Sequence, residues 1–256
     1  MRRIFLASLL LPVHFFASTG VTEAQTRVTR VTVQDNSALG SPLAINGTVT
    51  LRETISNGIV RTAISEDILS RNISGKTILT LVVWVDVKPS YSSPRHFTRQ
   101  YECFFAADVI SSGTEHPLSQ ANVPETGEPY DPSAAPRSPS AVVTVVYVQF
   151  LDGSIFGHEA FGEDIQRMRR MTLKHLRSLD RIYTSFGEAA FTQELNETVE
   201  PADVETFFEN IRQTLRQQGA QIAIVRIRTS LKFAEDRQAG FSHRKSRGED
   251  SGSERE

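Results

Sequence analysis

The chain has 256 residues, 28 Lys+Arg against 30 Asp+Glu for a formal net charge of −2, with 39% hydrophobic and 23% charged residues. These values exclude wholesale disorder, collagen-like repeats and a multispan membrane protein. The near-neutral balance also argues against a dedicated nucleic-acid binder, which needs a cationic surplus to engage phosphates.

The N-terminus carries an address. Met1-Arg2-Arg3 is positive, Ile4 to Phe16 is apolar apart from Ser8 and His14 with one interruption at Pro12, and Ala17-Ser18-Thr19-Gly20 leads into Val21-Thr22-Glu23-Ala24. This order predicts a secretory signal peptide over residues 1–24, cleaved after Ala24 or alternatively after Gly20. About 13 apolar residues fall short of the roughly 20 that span a bilayer. The longest apolar run beyond it is Leu81-Val82-Val83-Trp84-Val85, so no transmembrane segment is expected in the mature chain. The expected location is periplasmic or extracellular. Cys103 is the single cysteine, so no intrachain disulfide forms even in an oxidising compartment. Its place in Tyr101-Glu102-Cys103-Phe104-Phe105 reads as a strand position in the core, with a reactive thiol and an intermolecular disulfide as alternatives.

From Val28 to Phe156 the texture is β. Arg27 to Val33 is rich in β-branched residues and stops at Asp35-Asn36-Ser37. Leu43 to Leu51 forms a second strand with a break at Asn46-Gly47, and Ile59 to Ile64 a third. Thr77 to Lys88 is the strongest: Leu79, Leu81, Val83, Val85 and Val87 share one face, and Ile78, Thr80, Val82, Trp84 and Asp86 the other, which predicts a central strand covered on both sides. Trp84 is read as packing beneath the later helices, with a carbohydrate-stacking platform as the alternative. His96 to Ala106 and Ala141 to Leu151 continue the series, the latter alternating Val142, Thr144, Val146, Val148 and Phe150 against Val143, Val145, Tyr147 and Gln149. Asp152-Gly153 between apolar pairs signals a hairpin. Short strands punctuated by turns predict an antiparallel sandwich. Pro117 to Ser140 holds six of the eleven prolines and reads as an extended, mobile loop.

After Gly157 the period lengthens. Ile165, Met168, Thr172, Leu176, Leu179, Tyr183 and Phe186 recur at three and four residues and predict an amphipathic helix ending at Gly187. Arg167, Arg169, Arg170, Lys174, Arg177 and Arg181 lie largely off that stripe and read as a solvated basic face. Glu188 to Leu195 suggests a short helix, and a further helix begins at Pro201 and ends before Gly219. Ala220 to Arg228 is β-branched and reads as a strand; from Ala234 to Glu256 the composition predicts a disordered tail.

Chemistry is sparse. His158-Glu159 begins like a zinc-protease HExxH helix, but the second histidine position is Gly162, so one imidazole ligand is missing. Gly153-Ser154-Ile155-Phe156-Gly157 is not GxSxG, and neither a phosphate loop nor GxGxxG is present. Asp152 reads as a type I′ turn residue rather than a calcium ligand. Glu159, Glu163 and Asp164 sit where a helix start already uses carboxylates. No catalytic, metal or cofactor-binding residue is assigned; Asp152, His158 and Glu159 are the nearest to a catalytic set. Asn46, Asn72 and Asn196 head N-x-[ST] triplets.

Asn72-Ile-Ser-Gly-Lys-Thr-Ile78, Gln100-Tyr-Glu-Cys-Phe-Phe105 and Val148-Gln-Phe-Leu-Asp-Gly-Ser-Ile-Phe-Gly157 resemble segments of an uncharacterised group of secreted bacterial proteins with an immunoglobulin-like or fibronectin-type sandwich. The resemblance covers about residues 28–157, implies a fold, and carries over no catalytic residue. The expectation is therefore α+β: an antiparallel, immunoglobulin-like β-sandwich (26–157), a mainly helical region (158–233) and a tail (234–256). Its function would be that of an exported, non-enzymatic module binding a protein or polysaccharide, without a cofactor or nucleic acid. The alternatives are a hydrolase-type enzyme with its site between Asp152 and Glu159, and a self-associating structural envelope protein.

Overall fold

Strands β1 (Gln25–Asp35), β2 (Leu43–Ser56), β3 (Ile59–Asn72), β4 (Ile78–Lys88), β5 (Arg95–Glu102), β6 (Glu115–Pro117), β7 (Thr126–Pro129), β8 (Ser140–Phe150) and β9 (Ile155–Gly157) precede helices α1 (Glu159–Leu195), α2 (Ala202–Gln218) and α3 (Ala220–Gly248). The structure, a computed structural model, describes residues 24–118, 123–197 and 202–248. The expected signal peptide lies outside these apart from Ala24, as does the end of the expected tail.

The mixed α+β class stands, but the immunoglobulin-like sandwich does not form. The strands make one curled sheet in the order β5-β4-β8-β1-β2-β3-β6, with β7 also on β3 and β9 on β8. The reason lies in β1. Gln25 to Thr32 pair antiparallel with β2, and Val33 to Asp35 then pair in parallel with β8. One strand hydrogen-bonded to both halves joins them, so the sheet is a half-barrel and not two separate layers. Its concave side holds a core in which Val49, Leu51, Ile64 and Ile68 of β2 and β3 meet Leu81, Val83, Val85, Val143 and Val148 of β4 and β8. Across the open side, Arg99 on β5 reaches Glu66 on β3 at 3.1 Å, and the rings of Tyr101 and His116 meet edge to face at 4.8 Å.

The β2–β3 hairpin is longer than the composition suggested. It pairs 14 residues a side around Asn57-Gly58, whose φ values of 51° and 70° are those of a two-residue type I′ turn. The Asp152-Gly153 turn also makes a hairpin, but its loop is four residues long and only Gly153 has positive φ, so it is not type I′. Strand β2 runs unbroken through Asn46-Gly47. A Cβ at Gly47 would lie 2.2 Å from the Asp67 carbonyl oxygen, and φ is +136°. The Pro-rich segment is partly ordered: β6 and β7 cover the outer edge of β3, and Tyr130 packs edge to face on Tyr91.

Two bulges break the simple alternation. Between Ile78 and Thr80 the β4–β8 register shifts, so Leu79 leaves the stripe with Leu81 and joins the helical core. A second shift opposite Val82 and Val83 turns both Val146 and Tyr147 toward α1, while Val145 and Val148 stay inside. Trp84 packs beneath α1 against Phe161, as its face predicts.

The helices cover the convex side of β4 and β8 and share a core of Leu173, Leu176, Leu179, Phe191, Phe208, Ile224 and Ile227. Helix α1 kinks at Gly187, where φ is +80°, at the boundary its sequence predicts between two helical segments. Phe186, assigned to the apolar stripe, is 74% exposed at that kink. The expected strand over Ala220 to Arg228 is helical. Ala220, Ala223, Ile224, Ile227, Leu231 and Ala234 are buried at three- and four-residue spacing, so packing overrides β-branched propensity. The helix runs on through Ala234, where a loose tail was expected, to Gly248. Among the described residues no helix is long and apolar enough to cross a membrane.

Gly47→Ala should cost more than about 4 kcal/mol in urea denaturation, because strain and a backbone collision coincide. Gly75→Ala, at φ +72° with nothing within 4 Å of its Cβ position, should cost only about 1–2 kcal/mol.

Candidate functional site

Register places Glu102, Thr80 and Gln149 side by side on β5, β4 and β8, all facing the helices. A polar row on a packed face needs a partner, and Arg169 of α1 supplies it. Assigned from sequence to the solvated basic face, Arg169 is 1% exposed. Its Nε and Nη2 donate to the two Glu102 carboxylate oxygens at 3.2 and 3.0 Å, and Nη1 donates to Gln149 Oε1 at 2.7 Å. Nη2 also donates to Thr80 Oγ1. Glu102 accepts further from Thr80 Oγ1 at 3.2 Å and from the Phe104 backbone N–H at 2.8 Å. The guanidinium lies 4.2 Å from the Phe104 ring centroid. All three guanidinium nitrogens and both carboxylate oxygens are therefore engaged, which is the condition under which a buried ion pair is tolerated.

Beside this pair opens a cleft of about 370 Å³. Gln100 and Glu102 of β5, Phe105 of the following turn, Met168 and Thr172 of α1, and Phe207 and Asn210 of α2 line it. Phe105 and Phe207 stand 5.3 Å apart and form an aromatic wall. Gln100 and Met168, in contact at 4.0 Å, separate it from a smaller cavity of about 200 Å³ bounded by Phe161 and Ile165. Strand β5 is a terminal strand of the sheet, hydrogen-bonded to β4 alone among the described strands. A rigid polar floor, apolar walls, amides at the mouth and a sheet edge alongside suit recognition of an extended chain.

The residues nearest to a catalytic set are placed otherwise. Asp152 pairs with Lys76 at 3.0 Å and accepts from Ser154 N at 2.9 Å. Burial pushes its carboxyl up, but the Ser154 and Lys76 hydrogen bonds and the Lys76 charge outweigh this and bring it down to about 2. An anchored turn carboxylate at that value is a weak base. His158 is exposed at the N-cap of α1 and makes no side-chain cap. Glu159, also exposed, borders a shallow depression of about 600 Å³ with Glu163, Gln166 and Arg170. At Gly162 a Cβ would lie 3.3 Å from Tyr147 Oη, so this turn of α1 is packed closely on β8. Among the described residues no group of three or more His, Cys, Asp and Glu is gathered to hold a metal.

Cys103 follows Glu102 where the chain leaves the sheet, so it packs on the helical core rather than beside Tyr101. Burial and then the Glu102 charge push its thiol up to about 11, against the pull of Arg237. Arg237 of α3 holds this turn by donating to the Cys103 carbonyl and, at 2.7 Å, to that of Ala106.

Removing one member of the buried pair should be costly. Arg169→Met and Glu102→Gln are each expected to lose about 3–5 kcal/mol in chemical denaturation. The double variant should lose less than the two together, since no charge is left unpaired. The Cys103 thiol should alkylate at pH 8 about 100-fold more slowly in the native than in the unfolded chain, as its raised pKa dictates. The chain matches no protein-family model, no curated protein and no solved structure.

Proposed function

We propose that the protein is an exported, non-enzymatic binding module of the cell envelope or extracellular space, and that it holds an extended segment of a protein partner along β5. An apolar side chain of that segment enters the cleft between Phe105, Phe207 and Met168, and the Gln100 and Asn210 amides meet its backbone. The observation that carries this reading is the saturated Arg169–Glu102 pair beneath the cleft. A carboxylate whose two oxygens are both held by fixed donors makes a stiff base for a recognition surface. The positive start, apolar run and Thr22-Glu23-Ala24 site support export.

Two measurements test the reading. Residues 1–24 fused to a periplasmic reporter should deliver it across the membrane, with the processed product starting at Gln25; a product that stays inside and unprocessed removes export. For the cleft, a displayed peptide library panned on the purified chain should enrich extended sequences with one recurrent large apolar residue. Met168→Glu with Asn210→Arg should weaken the enriched peptide at least 10-fold, without lowering the melting temperature by more than a few degrees. Binding indifferent to that pair would displace the site from the cleft. Copurification of stoichiometric metal, with activity lost in His158→Ala, would replace the reading with the hydrolase alternative.

A further inference from the structure

Helix α1 carries a basic face on the side away from the cleft floor. Arg170, Lys174, Arg177 and Arg181 stand at intervals of four, three and four residues. At 100° per residue they fall within a sector of about 60° and span roughly 16 Å of helix. All four are exposed. Together with Leu173 and Gln238 they line a groove of about 280 Å³ between α1 and α3, and no carboxylate is among its lining residues. Arg177 alone of the four has an ion-pair partner among the described residues, Glu235 at 3.3 Å, and both ends of that pair are more than half exposed. A solvated pair of this kind is worth little and exchanges readily. The neighbouring Arg167 makes a pair of the same solvated kind with Asp164 at 2.8 Å, and Arg228 on α3 pairs with Asp180 at 2.7 Å. The groove thus gathers four cations and no carboxylate along one helix face, on a chain whose net charge is −2.

We infer that this groove binds a linear anionic polysaccharide, its carboxylate or sulfate groups lying along Arg170, Lys174, Arg177 and Arg181. The spacing favours a polymer: successive cations are offset by about 4.5–6 Å along the axis, a row suited to a chain with a charge on each sugar. A membrane surface fits less well. An interfacial helix carries exposed apolar residues flanking its cations, whereas the large exposed apolar side chain of α1, Phe186, lies about 160° around the helix from Arg170. Single-stranded nucleic acid fits less well too, since the groove offers no aromatic ring on which bases could stack. Glu159 and Glu163, which border Arg170 in the adjoining depression, bound the row at its N-terminal end. The surface is distinct from the cleft, so cleft variants leave it intact.

The test is titration of the purified full chain with four probes: polygalacturonate oligosaccharides, heparin oligosaccharides, vesicles containing phosphatidylglycerol, and single-stranded DNA. At least one of the two polysaccharides should bind at low salt and be released as NaCl rises. Lys174→Gln with Arg181→Gln should weaken it at least 10-fold. Arg52→Gln with Arg71→Gln, which removes the same charge from exposed positions on β2 and β3, should change it less than twofold. Circular dichroism should show the same helix content and melting in both pairs. The inference falls if neither polysaccharide binds, if both charge pairs weaken binding alike, or if vesicles or DNA bind as tightly as the better polysaccharide.

Discussion

The contact between Arg169 and Glu102 is the joint on which the architecture turns. The concave core belongs to the sheet and the helical core to α1, α2 and α3, and the two are separated by the β4–β8 layer. Arg169 crosses that division. It comes from α1 and binds Glu102 on β5, Thr80 on β4 and Gln149 on β8, and it stacks on Phe104 of the turn that follows β5. A charge this deep would not tolerate a missing partner, so each of those elements must be in register before the guanidinium can be accommodated. The pair therefore selects one docking of helix on sheet among the many that apolar packing alone would allow. That specificity is what a cleft built at the same seam requires.

The register depends in turn on the bulges. Were β4 to alternate without interruption, Leu79 would lie with Leu81 inside the curl, and the helical core would lack the side chain that bridges it to the sheet. The shift at Ile78/Thr80 moves Leu79 outward and leaves Thr80 opposite Glu102 and Gln149. The shift near Val82 turns both Val146 and Tyr147 onto Ile165 and Phe161. Bulges also raise local twist, consistent with a nine-stranded sheet that curls into a half-barrel and whose first strand passes from β2 to β8.

Much of this was legible in the sequence, and the failures have physical causes. Element positions through β4, β5, β8 and the first two helices follow from period and punctuation. The curl does not, because a strand that changes partner partway leaves no mark on its own alternation. Helix α3 was misread because Ile222, Ile224, Val225 and Ile227 favour strands locally, although the spacing of Ala220, Ala223, Ile224, Ile227, Leu231 and Ala234 already fits a helix; the cue was present and was outweighed by propensity. The Asn57-Gly58 turn was likewise in plain view. Arg169 was missed for a different reason. Counting at 100° per residue puts it about 60° from the centre of the apolar stripe, just beyond its edge, and residue type assigned it to the basic face. A charged residue bordering an apolar stripe is a sequence-level sign of a buried pair, but nothing local in the chain names Glu102, 67 residues earlier, as its partner.

Arg169 and Arg170 show how far one step along a helix can divide identical chemistry. They are adjacent, about 100° apart, and they meet opposite environments. Arg169 lost its water and is held by three neighbouring strands, so its charge is spent on holding the fold together. Arg170 kept its water, and its charge remains to act on something outside the molecule. The distinction sets what each can contribute to function. Every guanidinium nitrogen of Arg169 and both oxygens of Glu102 are engaged within the fold, which suits the proposed recognition of shape and backbone in the cleft beside them. An exposed cationic row has charge without enclosure, so it suits a long, repeating anion better than a small one, which would gain from only one or two of the four cations. Helix α1 thus presents two faces, one buried against the sheet and one solvated, and the stiffness of the first holds the spacing of the second.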